Sequence, residues 1–219
     1  MKTWSADHPK AKLMAGKRAD ILGAARASFL ARGYEGTSME AVAAAAGVSI
    51  MTLYRHAQGK DDLFAAVITD ACDLADPAEQ AALAAFMRRP LAEILDAAGR
   101  SAQQRIARPE TVALLRTVVA EAGHFPHLAE MTYRALVGHW EDVIAQVLSA
   151  KVPAADLADG EPAQLSAAFV DHLFGTDVLR LLLGLEEASP AARQRRVELA
   201  RRELLAGLEA QWPNTGTDR

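Results

Sequence analysis

The chain has one cysteine, Cys72, among 219 residues. A single thiol cannot close an internal disulfide or supply a structural zinc site of several thiolates. Aromatic residues are 5% of the chain, and Val, Ile and Thr together number 29. Strands draw on these side chains, so their scarcity argues against a β-rich fold. Long apolar runs are also missing. The strongest, 178–185, carries Arg180 and is too short to cross a bilayer. The opening MKTWSADHPKAK lacks the apolar stretch of a signal peptide. A cytoplasmic protein in a reducing compartment, with no membrane partner, is expected.

What is abundant is helix former: 47 alanines and 26 leucines. The expectation is an all-α fold. With 51% hydrophobic and 24% charged residues, the chain has enough apolar surface for a core and is not disordered as a whole. Its net charge of -4 is unevenly spread. Residues 1–70 sum to +2 and residues 71–219 to -6. Lys2, Lys10, Lys12, Lys17 and Arg18 face only Asp7 in the first 18 positions. A basic head on an acidic body suits a polyanionic partner for the head alone.

Residues 1–16 read as a flexible basic arm. A first helix is expected over 17–32, with Ile21, Leu22, Ala25 and Phe29 as its buried stripe and Gly33 ending it. Thr37-Ser38-Met39-Glu40 reads as a capping box, Thr37 at N-cap and Glu40 at N3. It opens a short helix to 46. Gly47-Val48 forms a turn, Ser49 caps a third helix over 50–56, and Lys60-Asp61-Asp62 starts a fourth with acids in its first turn. Beyond it, prolines at 77, 90, 109, 126, 162 and 190 suit helix starts. They imply helices over 60–86, broken near Pro77, and over 90–107, 109–124, 126–150, 162–184 and 190–211, with a loop at 151–160.

No phosphate-binding glycine loop or nucleophile-elbow motif occurs. Glu121-x-x-His124 matches half of a di-iron bundle motif, but no second copy follows. His124 and His127 flank Pro126, so they share no regular helix and read as loop-end or capping residues. His139 and His172 read as hydrogen-bonded bundle histidines, and Cys72 as a small apolar residue. No catalytic residue, metal or cofactor is expected, and an enzyme is not.

Residues 38–57 have the spacing of a helix-turn-helix. Gly47 allows a close, steep crossing. Ala41, Val42, Ala45, Val48 and Leu53 would pack inward, and Ser49, Ile50, Met51, Thr52, Arg55 and His56 would face out. A helix fits the major groove and can present its first residues to base edges. An ordinary corner between two bundle helices would show the same periodicity.

The stretch from Arg18 to Tyr34, then Thr37-Ser38-Met39, Ala45-Ala46-Gly47-Val48-Ser49, Thr52-Leu53-Tyr54-Arg55-His56 and Lys60-x-x-Leu63-Phe64, resembles the N-terminal domain of the tetracycline-repressor (TetR/AcrR) family. Leu115 to Pro126 resembles the AefR-like group within it. The resemblance implies a DNA-binding domain over 17–75 and a helical effector-binding and dimerisation domain over 76–219. It implies a double-stranded operator, a small-molecule effector and a second copy of the chain as partners. By position, Thr37 and Ser38 would touch phosphate, Ser49 to Thr52 would read bases, Tyr54 and His56 would bond the backbone, and Lys60 would grip a phosphate. Hydroxyls, helix starts and a lysine are apt phosphate partners. Two positions depart from the family pattern. Ala57 stands where a large Phe is usual, and Ile50 and Met51 stand where polar or small residues are common. The latter two cannot make bidentate hydrogen bonds but can touch thymine methyls; the alternative is an apolar patch without base specificity.

For the body, the resemblance implies dimerisation through the last two helices and a cavity for the effector. Leu165, Phe169, Leu173, Thr176 and Leu183 line one side of the first, and Val197, Leu204, Leu205 and Leu208 one side of the second. Leu173, Leu183, Val197, Leu204 and Leu208 are the expected interface. Phe86, Val119, Met131, Trp140, Phe169 and His172 are candidate pocket residues, with plain core as the alternative. The resulting expectation is a repressor released from a pseudo-palindromic operator by its effector. The competing reading is a ligand-binding or interaction module with a degenerate head.

Overall fold

The computed structural model describes residues 9–71, 87–153, 161–185 and 188–211. The side chains at 9–12 and 210–211 are not part of that description, and Cys72, Pro77 and Phe86 lie outside it. Among the described residues every regular element is helical. The chain divides into two compact units. The first takes residues up to 74 together with Ala113–Thr132, the second Ala75–Val112 and Tyr133–Arg219.

In the first unit, α1 spans Pro9–Arg32, α2 Met39–Ala45, α3 Ile50–His56 and α4 Lys60–Ala71. The stripe of Ile21, Leu22, Ala25 and Phe29 is buried as its spacing predicts. The start of α1 differs. It lies at Pro9 rather than 17, so half of the expected flexible arm is helix. Pro9 provides the preset φ of a first turn, and Ala, Lys, Leu and Met after it all favour helix.

The cap of α2 also differs. Ser38, not Thr37, is the N-cap, and its Oγ accepts from Ala41 N at 3.2 Å. Thr37 is only 3% exposed. Its hydroxyl donates to the Gly33 carbonyl at 2.8 Å and lies 3.2 Å from Ser28 Oγ. α2 ends in a left-handed Gly47 with φ +65. Gly47 N donates to Ala44 O at 3.2 Å and Val48 N to Ala43 O at 3.0 Å, which satisfies carbonyls that the helix end would leave open.

Residues 113–132 contribute the later part of α6 (Pro109–Glu121) and most of α7 (Pro126–Tyr133) to this unit. Their corner meets Tyr34, which is buried. The Tyr34 and Phe125 rings lie 4.9 Å apart, and Tyr34 N donates to Glu121 Oε1 at 3.1 Å. Phe64 stands edge-on to both Phe29 (4.9 Å) and Tyr34 (5.6 Å). Edge-to-face geometry brings positive ring edges to negative ring faces and is favourable beyond the area buried.

The second unit is built from α5 (Leu91–Ile106), α8 (His139–Lys151), α9 (Glu161–Phe174), α10 (Asp177–Leu182) and α11 (Pro190–Gln211). A π-helical turn at Arg134–Gly138 precedes α8, so the helix expected over 126–150 is interrupted in its hydrogen-bond pattern. The core joins Ile94, Leu95 and Ala102 of α5 to Ile144 and Leu148 of α8, Phe169 and Val170 of α9 and Ala200 of α11. α5 approaches α9 and α11 closely at Gly99. A Cβ there would sit 3.0 Å from both Leu173 and Val197.

The helix expected over 162–184 is broken. Gly175 is left-handed with φ +45, and α10 begins only at Asp177. The buried Gln103 amide donates to the Leu173 carbonyl at 3.0 Å, inside the last turn before the break. Asp177 takes Arg196 Nε at 2.6 Å and Nη2 at 3.1 Å, which fixes the start of α10 to α11.

Candidate nucleic-acid interface

The surface of α3 follows from its shortness. Seven residues bury a single side chain, Leu53, so the rest of the helix is available to a partner. Ser49 is the N-cap, and its Oγ accepts from Thr52 N at 3.2 Å. The Ser49 and Thr52 hydroxyls also bond each other at 2.9 Å. Arg55 Nε donates to the Met51 carbonyl at 3.4 Å, which draws the guanidinium back along the helix. Met51 is 74% exposed and Tyr54 is exposed, while Ile50 is half-buried. Ala57, where a larger residue was expected from the resemblance, is buried and closes the helix through its N–H on the Leu53 carbonyl at 3.0 Å. The short side chain still leaves a completed third helix.

His56 sits among cations. Burial first, then Arg18, Arg55 and Lys17, hold its imidazole below the ordinary histidine pKa. Lys17 and Arg18 of α1 therefore share a field with the end of α3. The charge of Lys17 and Arg18 is legible in the sequence, but their influence on His56 depends on the fold.

Lys60, at the start of α4, donates to the Glu35 carbonyl at 3.2 Å and lies 4.4 Å above the Tyr34 ring. Its neighbour Asp61 is held by the Tyr34 hydroxyl and by His127 Nε2 at 3.4 Å. The Tyr34 hydrogen bond, with smaller help from His127 and Lys60, keeps the Asp61 carboxyl below its usual range. Burial of the ring first, and then the same contact, push the Tyr34 phenol upward. His127, read as a loop-end or capping residue, thus reaches the first turn of α4. Nothing in the spacing of residues 34, 61 and 127 signals this.

Of the ten positions expected to meet DNA, Ser38, Ser49, Met51, Tyr54 and Arg55 are exposed and Ile50, Thr52, His56 and Lys60 half-buried. Thr37 does not: its hydroxyl and N–H are both turned inward, the latter on the Tyr34 carbonyl at 3.3 Å. The left-handed turn at Gly33 presents the carbonyl that captures it.

The expected effector and interface residues are distributed differently. Val119 is 63% exposed and Met131 half-buried, both in the first unit. Trp140 and Phe169 are buried in the second, and His172 is half-buried with Nδ1 2.7 Å from the Ala168 carbonyl. A small, open pocket in the second unit is lined by Gln103, Leu173, Phe174, Asp177, Val178 and Arg193, among others. Of the expected interface residues, Leu173, Val197, Leu204 and Leu208 are buried within the chain's own core. Apolar spacing marks a buried stripe but does not distinguish the same chain from a second copy. Leu183 is 66% exposed and stands with exposed Leu179 and Leu185.

Among the described residues no group of three or more His, Cys, Asp or Glu is placed to hold a metal, and no helix is long and apolar enough to cross a membrane.

Residues 21–67 match the model of bacterial regulatory proteins of the tetR family. Residues 93–206 match that of the C-terminal domain of AefR-like transcriptional repressors. No curated protein matches the chain. Among solved structures, the flavonoid-responsive regulator FrrA is 28% identical with a TM-score of 0.64, over 87% of this chain and 96% of its own. A TetR-type chain from Mesorhizobium loti is 21% identical with a TM-score of 0.61, over 89% and 97%. NalD of Pseudomonas aeruginosa, the secondary repressor of the MexAB-OprM multidrug efflux pump, is 23% identical with a TM-score of 0.56, over 87% and 94%. The last two similarities speak for the fold.

Proposed function

Since the chain belongs to the TetR family of bacterial regulatory proteins and is a DNA-binding transcriptional regulator, we propose that it is a homodimeric repressor released from a pseudo-palindromic operator by a small molecule. The observation that carries this reading is α3, which buries only Leu53 among its seven side chains and whose His56 lies in the field of Arg18, Arg55 and Lys17. A cationic, protruding helix suits a major groove flanked by phosphates. Residues up to 75 read DNA in this proposal, and the body dimerises and takes the effector. Exposed Leu179, Leu183 and Leu185 are the apolar surface offered for dimerisation. Similarity to a flavonoid-responsive regulator makes planar, amphipathic aromatics the first effectors to try.

Selection from random duplexes by the full chain tests the DNA reading. An inverted repeat with half-site centres roughly 34–36 Å apart, or a multiple of that, is expected from a two-fold dimer. A folded protein that enriches no motif would overturn it. On the selected operator, Lys60→Ala should weaken binding on all sequences alike and lower the salt slope by about one unit, since one phosphate contact is lost. An unchanged slope removes Lys60 from the phosphate contacts. A flavonoid panel added to the complex tests release. By linkage, an effector that weakens DNA binding must itself bind less tightly to the DNA complex, typically by ~5–150-fold. Equal affinity for both forms would refute the switch.

A further inference from the structure

The first turn of α4 carries opposite charges side by side. Lys60 bonds the Glu35 carbonyl at 3.2 Å and lies 4.4 Å above the Tyr34 ring. Asp61 follows it directly, with more than half of its side chain exposed. A carboxylate free in water at that place would oppose an anionic partner in two ways. It would pair with the ammonium, and it would repel a phosphate. In the structure its Oδ1 is taken instead by the Tyr34 hydroxyl and lies 3.4 Å from His127 Nε2.

The two groups that hold Asp61 belong to one well-fitted cluster with the corner at residues 121–127. Tyr34 N donates to Glu121 Oε1 at 3.1 Å, and the Tyr34 ring stands edge-on to Phe125 at 4.9 Å and to His127 at 6.2 Å. The fit against the left-handed Gly33 turn is close, since a Cβ on Gly33 would lie 2.5 Å from Glu121 Oε1. Tyr34 therefore acts on the helix start twice. Its ring face attracts the Lys60 ammonium, and its hydroxyl bonds the Asp61 carboxylate.

Resting on the reading of Lys60 as a phosphate contact, we propose that Tyr34 and His127 are positioning residues for DNA binding: they hold the Asp61 carboxylate away from Lys60, so that the ammonium keeps its charge for the operator backbone. Asp61 is then a restrained brake. Released, it neutralises Lys60 from the adjacent position, and affinity falls although every DNA-contacting side chain is still present.

The test is a double-mutant cycle in the full chain, read by fluorescence anisotropy on the selected operator, with urea unfolding to confirm that each variant is folded. Tyr34→Phe keeps the ring beneath Lys60 and removes only the hydroxyl. It should weaken binding about fivefold at low salt, the effect of one surface ion pair in each of two protomers. It should also lower the salt slope in the same direction as Lys60→Ala. Asp61→Asn keeps an acceptor for the Tyr34 hydroxyl but removes the charge, and alone it should bind at least as tightly as wild type. Added to Tyr34→Phe, it should restore both affinity and slope. A tyrosine with a purely structural role would give a loss that Asp61→Asn does not repair. His127→Ala, at an exposed position, should show a smaller loss with the same repair, and it decides by the same criteria if Tyr34→Phe fails to fold. Wild-type affinity and slope in folded Tyr34→Phe would overturn the proposal, as would a loss that persists in full when Asp61→Asn is added. A wild-type salt slope in Lys60→Ala would instead overturn the phosphate reading of Lys60, and this proposal with it.

Discussion

α3 buries one side chain, Leu53, whereas α4 in the same unit buries Leu63, Phe64, Val67, Ile68 and Ala71. The two helices are neighbours in sequence, but they are maintained by different physics. α3 keeps its shape through the Ser49 cap, the Gly47 turn before it and the Ala57 closure after it. α4 is held by area: its apolar side packs on α1, and Phe64 stands in the ring cluster of Phe29 and Tyr34. The lesson is a division of labour. Substitutions on the exposed side of α3 are expected to leave the fold standing, while the aromatic cluster is buried and has little surface to offer a ligand.

The most forceful way to break this contrast is at the cluster. Phe64→Ala should cost about 3–5 kcal/mol of unfolding free energy, the range for deleting a buried Phe. That is a large share of the 5–15 kcal/mol typical of a domain. Urea unfolding followed by circular dichroism measures it. A loss below about 1 kcal/mol would mean the rings repack freely and the cluster is not the anchor.

The second unit extends the comparison, because its helix break is also local. Gly175→Ala forces an L-residue to a φ of +45 and places a methyl against the Arg196 guanidinium that binds Asp177. About 1–2 kcal/mol of destabilisation is expected from the backbone strain alone. Thermal unfolding checks this. A neutral result would show that the turn relaxes to an ordinary conformation and that the break does not depend on glycine.

Ser49→Ala sharpens the contrast at the tip. Loss of an N-cap hydroxyl costs about 1 kcal/mol, and it also frees the Thr52 hydroxyl from its partner. A modest fall in unfolding free energy, together with a changed base preference in selection, is the expected pair of outcomes. A large fall in stability with unchanged preference would assign α3 a structural role instead.

The division also explains what was readable beforehand. Ser49 as cap, Gly47 as turn and Leu53 as core depend on residues within a few positions of one another, and they stand where the pattern predicts. Thr37 satisfies the capping-box pattern equally well, but the Gly33 carbonyl takes its hydroxyl, and that carbonyl's direction depends on a left-handed turn. The Tyr34, Asp61 and His127 contacts join residues up to 66 positions apart, and no periodicity marks them. The stripe of Leu173, Val197, Leu204 and Leu208 was legible as buried. Whether it faced α5 or a second copy was not, since both offer the same apolar environment.

The smallest expected effect tests the electrostatics of the tip and has two opposite signs. Burial, then Arg18, Arg55 and Lys17, hold His56 below the ordinary histidine pKa in the free protein. The folded state therefore binds fewer protons than the unfolded chain. This contribution to stability is present above the unfolded value, about 6.5, and is lost as pH falls through the depressed folded value. A phosphate beside the ring favours the imidazolium, so DNA binding should raise the pKa and take up protons. Affinity should increase as pH falls toward 6, by about two- to threefold, while folding stability declines slightly. His56→Gln should flatten the added slope in both measurements. Anisotropy titrations and urea melts across the same pH range separate the two signs. If affinity in the wild type weakens on acidification while the glutamine variant is flat, the imidazole does not face a phosphate.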